Sequence, residues 1–235
     1  MANHTKSFIS KVGDQFDLEG YIGSSEVHGN GNVNDTFLLF CEDGDTLNRY
    51  TLQRINHDIF MNPEGLMENF SRVTRHLRSK IEKEGSGIQC LTLVPAKDGR
   101  FFHKDSNGNY WRVTKFVDGG RSFEVPEDIH QAYEAAKAFG DFQAKLADLP
   151  GDPLIETIPD FHNTRMRFEH FRSACEQDEM DRAKEVSDLI QFAMDREKLA
   201  ELIQSDTFPS RVVHNDTKLN KDFYIWRPIT TNNFC

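Results

Sequence analysis

The sequence predicts an α+β protein of two lobes, and three patterns predict it. Between Phe16 and Val117, short runs of alternating apolar and polar residues are separated by turns rich in glycine, asparagine and aspartate, the mark of antiparallel strands. A single helical run, from Leu66 to Ile81, interrupts them. From Pro126 onward the apolar residues recur at spacings of three and four, the period of a helix. The expected organisation is a mostly antiparallel sheet lobe with one helix over residues 1–117, a partial helical lobe over 118–220, and a divergent tail over 221–235.

The first fifteen residues are polar and are expected to be loosely held. Phe16 to Ile22 reads as a strand that runs into a loop, Gly23 to Asn32, dominated by glycine, serine and asparagine. Such a loop lets backbone N–H groups approach phosphate oxygens, because small residues tolerate positive φ and keep side chains away. Glycine and asparagine make an ordinary hairpin turn equally well. Val33 to Cys41 and Arg49 to Ile55 read as the next two strands, joined by a turn from Glu42 to Asp45. In the second of them Tyr50, Leu52 and Arg54 share one face, with Thr51, Gln53 and Ile55 opposite.

Asn62 and Pro63 open a helix, as N-cap and first-turn residue. Leu66, Phe70, Val73, Leu77 and Ile81 form its apolar stripe. Strands follow over Gln89 to Val94, Phe101 to Lys104 and Tyr110 to Val117, the last two joined through Asp105 to Asn109. A helix after Pro126 buries Ile129, Ala132, Tyr133, Ala136, Phe139, Phe142 and Leu146 before Pro150 and Gly151 stop it. Glu156 to Asn163 is irregular, and 165–177, 178–195 and 196–204 read as charged amphipathic helices. Their expected core residues are Phe168, Phe171, Leu189, Ile190, Leu199 and Leu202.

Composition removes several function classes. A net charge of −10 argues against a protein that holds a nucleic acid backbone, which needs clustered Lys and Arg to release counterions. The N-terminus has no apolar signal core, and no run approaches the ~20 apolar residues of a membrane span, so the expected address is cytoplasmic and no membrane partner is expected. Cys41, Cys90, Cys175 and Cys235 are scattered without a paired spacing, which suggests free thiols rather than a zinc site or disulfide framework. Oligomeric state leaves no mark in the sequence.

The chemistry is concentrated in one short stretch near the end. After the apolar pair Val212 and Val213 come His214, Asp216, Lys218 and Asn220 within seven residues. A histidine, an aspartate two places later and a lysine two places beyond match the start of the kinase catalytic loop, His-Arg-Asp-x-x-x-x-Asn. There the aspartate accepts the proton of the attacking hydroxyl, which Asp216 would do. Lys218 would set a fixed positive charge beside the phosphoryl group in flight. His214 reads as a brace for the loop backbone. A plain polar turn with Asp216 as a helix cap is the competing reading.

Four separated motifs strengthen the first reading: Asn34 to Thr36, Tyr50 to Asn56, Glu156 to Asn163, and His214 to Asn220. In this order they resemble the N-acetylhexosamine 1-kinases, of the aminoglycoside phosphotransferase and choline kinase-like group, over about Gly20 to Asn220. The resemblance implies a protein-kinase-like fold and transfer of the terminal phosphate of ATP, with Mg2+, to the anomeric hydroxyl of an amino sugar. It assigns Ser24, Gly29 and Gly31 to the ATP phosphates, and Asp118, in the hinge with Gly119 and Gly120, to the nucleotide. A kinase carries a basic residue on the strand that here ends at Ile55, paired with a helical glutamate. Arg54 fills the first slot, and Glu68, then Glu64, the second, although exposed strand and helix charges explain them as well. Phe161 would stack on the sugar and Asn163 would donate a hydrogen bond to it, although a loop packed on two helices explains their segment equally well.

Two departures from the family are visible. The loop spacing asks for a metal-binding asparagine at position 221, and the residue there is Lys221, so no metal ligand is assigned. The segment from Lys221 to Cys235 matches nothing in the family, and the expectation is a chain cut short after the catalytic loop. The alternatives are a nucleotide-binding remnant without transfer activity and a kinase for choline, an aminoglycoside or another sugar.

Overall fold

The computed structural model describes residues 5–29, 33–85, 88–118, 125–202 and 209–217. Two compact units divide the chain: one runs through Thr157 and takes in the segment from Val212 onward, the other is Ile158–Arg211.

The first unit is built on an antiparallel sheet. Its strands are β1 (Tyr21–Val27), β2 (Asp35–Asp43), β3 (Thr46–Ile55), β4 (Leu93–Val94), β5 (His103–Lys104) and β6 (Tyr110–Lys115), in the order β1-β2-β3-β6-β4, with β5 also on β6. The hairpin between β2 and β3 is tighter than the sequence suggests. Gly44, at φ 60, supplies the left-handed position that lets Asp43 and Thr46 pair directly. β1 begins later than expected, because Gly20 at φ 89 bends the chain, where a Cβ would strike the carbonyl of Glu42. Gly23 to Val27, half of the expected loop, are therefore strand. Phe16 itself makes only an isolated bridge to Ala96.

The sheet is covered on both faces. Phe37, Leu39, Cys41, Tyr50, Leu52, Trp111 and Val113 pack with Ile9, Val12 and Phe16 in one cluster. Ile9 and Val12 belong to a helix, α1 (Lys6–Gly13), capped by the Thr5 hydroxyl, which accepts from the Phe8 N–H. This corrects the expectation of a loose N-terminus: Ile9 is 1% exposed. The spacing of Ile9, Val12 and Phe16 is helical, but the intervening lysines and serines mask it.

On the opposite face Ile55, Leu93 and Phe102 meet Met67, with Leu66, Phe70 and Tyr110 packed around them. Met67 lies on α2 (Pro63–Glu84), which starts as predicted: the Asn62 side chain accepts from Gly65 N–H at 2.9 Å, with Pro63 at the first turn. Gly85, at φ 59, ends it by bonding back to the carbonyls of Ile81 and Glu82. The buried stripe is rotated slightly from the predicted one, with Met67, Ser71, Thr74, Leu77 and Ile81 innermost and Leu66, Phe70 and Val73 half-buried.

The second half of α2 packs on α3 (Ile129–Lys145), where Leu77 and Ile81 join Leu146 and Phe142. Ion pairs reinforce this seam. Lys145 Nζ lies 3.0 Å from Glu84 and 2.8 Å from Asp141, and Lys80 and His76 both reach Asp148. Burial pulls the Lys145 pKa down, but the two carboxylates more than compensate and it stands raised. The first turns of α3 differ from prediction: Ile129 is 89% exposed and Tyr133 62%, with Ala132 and Ala136 exposed beside them.

The second unit holds α4 (Thr164–Gln177), α5 (Ser187–Met194) and two 3-10 turns, Ala183–Val186 and Glu197–Glu201. Asp178 and Asp181, at φ 38 and 53, delay the helix expected from position 178. Leu189, Leu199 and Leu202 are exposed rather than core, and Ala200 is the buried residue of the last turn. Among the described residues no helix is long and apolar enough to cross a membrane.

If α1 completes the core, Ile9→Ala removes buried methylenes and leaves a cavity. Urea unfolding should show a loss of about 2–5 kcal/mol, whereas a loss below about 0.5 kcal/mol would place the helix outside the cooperative unit.

Candidate functional site

Strand alternation decides which side chains can meet. The register pairs Asp35 with Arg54, Gln53 with Arg112, and Ser24 with Phe40. Phe37, Tyr50, Leu52 and Trp111 fill the α1 side, so Asp35 and Arg54 point to that side too. Ser24, Glu26, Thr36, Thr51, Gln53, Ile55, Arg112 and Thr114 point to the α2 side.

Arg54 is therefore not a partner of the helix. Its Nε and Nη2 both lie 2.7 Å from Asp35 Oδ2, and the two side chains are only 21% and 13% exposed. The expected pairing with Glu68 or Glu64 does not form, because the sheet stands between them. Glu64 and Glu68 instead line a 480 Å3 depression beside α2, with Arg72, Arg75, Arg100 and Phe101. Glu64 Oε1 also accepts from the Tyr110 hydroxyl at 3.4 Å.

The α2 side carries a connected polar set that sequence inspection passed over. Arg112 is 9% exposed; its Nε donates to Gln53 Oε1 at 3.0 Å, and its guanidinium lies 4.6 Å over the Phe70 ring. Gln53 Nε2 in turn donates to Thr36 Oγ1 at 3.1 Å, and the Thr36 carbonyl accepts from His28 N–H at 2.9 Å. The period-2 rule had already set Gln53 apart from Arg54. What it could not give was the burial of Arg112, which comes from the docking of α2.

Two ends of this surface are drawn together at the hinge. The His28 ring stands edge-on to Phe116 at 5.8 Å, and the Arg49 guanidinium lies 4.9 Å over the same ring while bonding to Asp118. Gly29, next to His28, takes φ 74, and Ser24 is exposed on β1. His28, within the predicted phosphate loop, thus touches Phe116, two residues before Asp118 of the hinge. Gly31, Gly119 and Gly120 lie outside the described residues. Asn34 Oδ1 accepts from Asn56 N–H at 3.0 Å, so two of the four sequence motifs touch directly.

The segment 212–217 joins this unit through α2 and α3. Val212 packs into the cluster of Leu77, Ile81 and Leu146, and the His214 ring meets Phe139 and Phe142 edge-on at 5.5 and 6.1 Å. Asn215, at φ 65, turns the chain, and Asp216 follows half-buried. Lys218, Asn220 and Lys221 lie outside the described residues. Phe161 and Asn163 belong to the second unit and have local roles there. Asn163 caps α4 through Met166 N–H at 3.0 Å, and Phe161 takes the Arg167 guanidinium at 5.7 Å.

Among the described residues no three His, Cys, Asp or Glu side chains gather as ligands for a metal ion. Position 221 brings an ammonium where the loop pattern calls for an amide oxygen. The described residues alone assemble no ligand set for magnesium.

A family model described as phosphotransferase enzyme family matches residues 26–220. Among solved structures, spectinomycin phosphotransferase in complex with ADP and spectinomycin is similar in fold, with a TM-score of 0.54 at 12% identity, covering 97% of this chain and 69% of that one. An aminoglycoside phosphotransferase from Alicyclobacillus acidocaldarius subsp. acidocaldarius DSM 446 matches with a TM-score of 0.39 at 18% identity, over 74% of this chain and 44% of its own.

The Arg54 and Asp35 pair should behave as a structural clamp. A double-mutant cycle with Arg54→Met and Asp35→Asn is expected to show a coupling of about 1–2 kcal/mol in unfolding experiments. Additive effects would remove the clamp.

Proposed function

Because the chain belongs to the phosphotransferase enzyme family, we propose that it binds ATP and directs its terminal phosphate to a hydroxyl of a small molecule, with an amino sugar of the N-acetylhexosamine type as substrate. The observation that carries this is the placement of Asp216 on a loop anchored to α2 and α3 through Val212 and His214, in the unit that also holds the sheet, the loop after β1 and the hinge. A carboxylate fixed in this way can accept a proton from an alcohol while the fold positions the phosphate donor.

The remaining roles follow the surface described above. Backbone N–H groups of Ser24, Gly29 and Gly31 approach the phosphates, and the hinge at Asp118 takes the base. Lys218 contributes positive charge to the transferring group. The choice of an amino sugar rests on the four ordered motifs. No step is assigned to magnesium. A second reading, nucleotide binding without transfer, is favoured by Lys221, whose charge opposes a cation at that place.

The test measures ADP formation by the full chain with ATP and magnesium, offering N-acetylglucosamine, N-acetylgalactosamine, choline and spectinomycin in turn. The expected result is release that depends on an N-acetylhexosamine, disappears in Asp216→Asn, and rises at least about tenfold in Lys221→Asn as one charge repulsion is relieved. Release with choline or spectinomycin alone would reassign the substrate. ATP binding with no acceptor-dependent ADP from either wild type or Lys221→Asn would select the second reading.

A further inference from the structure

We propose that Arg112, on β6, is the cation that grips the nucleotide phosphates, in place of a basic residue on β3. The proposal rests on the nucleotide-binding reading above and names a residue that reading leaves out. Its starting point is parity. On β3 the α2 side offers Gln53, an uncharged amide, while Arg54 is turned to the α1 side and bound by Asp35 through two nitrogens. Arg49 shares the side of Gln53 but is tied to Asp118 at the hinge. Arg112 faces Gln53 directly across the β3–β6 pair.

The surroundings of Arg112 hold its guanidinium in one orientation. Gln53 Oε1 fixes Nε at 3.0 Å, the Phe70 ring supports one face at 4.6 Å, and Met67 Sδ lies 4.0 Å from Nη1. A planar fork held in this way loses little freedom when it takes a phosphate, and its geometry matches two phosphate oxygens at once. The same hydrogen bonds connect it to the predicted phosphate loop. Arg112 bonds Gln53, Gln53 bonds the Thr36 hydroxyl, and the Thr36 carbonyl holds His28 N–H, one residue before Gly29. The charge and the loop that would share a polyphosphate are thereby positioned by one chain of contacts. The substitution of an amide for a cation at position 53 has a physical use in this arrangement: its oxygen orients Arg112 and its nitrogen holds β2.

The experiment is calorimetry of the full chain with ATP and with adenosine, which shares the base and ribose but lacks phosphate. Wild type should prefer ATP. In Arg112→Met, which keeps length and apolar contact, that preference should fall at least about tenfold, the worth of a charge-assisted hydrogen bond, with adenosine affinity held within about twofold. Arg112→Lys, which keeps the charge and loses the fork, should lie between the two. It carries the test if a melting curve shows Arg112→Met to be unfolded. An unchanged ATP-to-adenosine ratio in the folded variant overturns the role of Arg112 and leaves the nucleotide reading standing. Equal loss of both ligands makes Arg112 a purely structural residue and also overturns the proposal. A wild type that binds neither ligand overturns the nucleotide reading and this inference with it.

Discussion

Helices on both faces of one antiparallel sheet constrain nearly everything else in the first unit. Once α1 fills one side and α2 the other, each residue of β2, β3 and β6 is committed to one of two environments by its parity alone. A one-residue slip of β3 would send Leu52 toward α2 and Gln53 into the apolar cluster around Trp111. The amide would then lose Thr36 and Arg112 and be buried without them, at a cost of about 1–3 kcal/mol for an unsatisfied group. The tight hairpin at Gly44 and the paired Asp35 and Arg54 at the far end of the same strands oppose such a slip from both ends.

A second constraint ties the sheet to the candidate chemistry. The position of Asp216 comes through helices: the sheet holds Met67 and Phe70 of α2, α2 holds Leu146 and Phe142 near the end of α3, and these receive Val212 and His214. The ionic seam of Lys145, Glu84, Asp141, Lys80 and Asp148 fixes the rotation of α2 against α3 where apolar packing alone would tolerate sliding. Exposed pairs contribute little individually, so the weight falls on Lys145, whose side chain is 9% exposed and meets two carboxylates. The same rotation sets which residues of α2 face Arg112.

The sequence was readable where local chemistry decides structure. Asn62 and Pro63 mark the start of α2 because caps act within one turn, and the alternation from Tyr50 to Ile55 follows from backbone geometry. The cluster of His214 and Asp216 could be picked out because few other uses place those residue types so close. Distant contacts were not readable. Ile9 and Val12 gave no sign of burial, since their value depends on a sheet formed later in the chain. The apolar face of α3 was identified correctly as a pattern, yet Ile129 and Tyr133 are exposed, because periodicity gives a face and not what covers it. Charge favours Arg54 over Gln53, although parity puts the two on opposite sides of β3.

Arg112 illustrates why charge alone misleads. Moving a cation out of water costs several kcal/mol unless oriented partners offset it, so a fold retains a buried arginine only where its surroundings replace hydration. An exposed turn arginine such as Arg100, bonded to Asp98 on the surface, needs no such support. Around Arg112 the replacement is distributed over an amide oxygen, an aromatic face and a thioether from two different elements. The guanidinium therefore depends on the docking of α2, and α2 on the seam with α3 that also carries the loop of Asp216. The Arg112 guanidinium and the Asp216 carboxylate share one mechanical support, and a change in the seating of α2 reaches both.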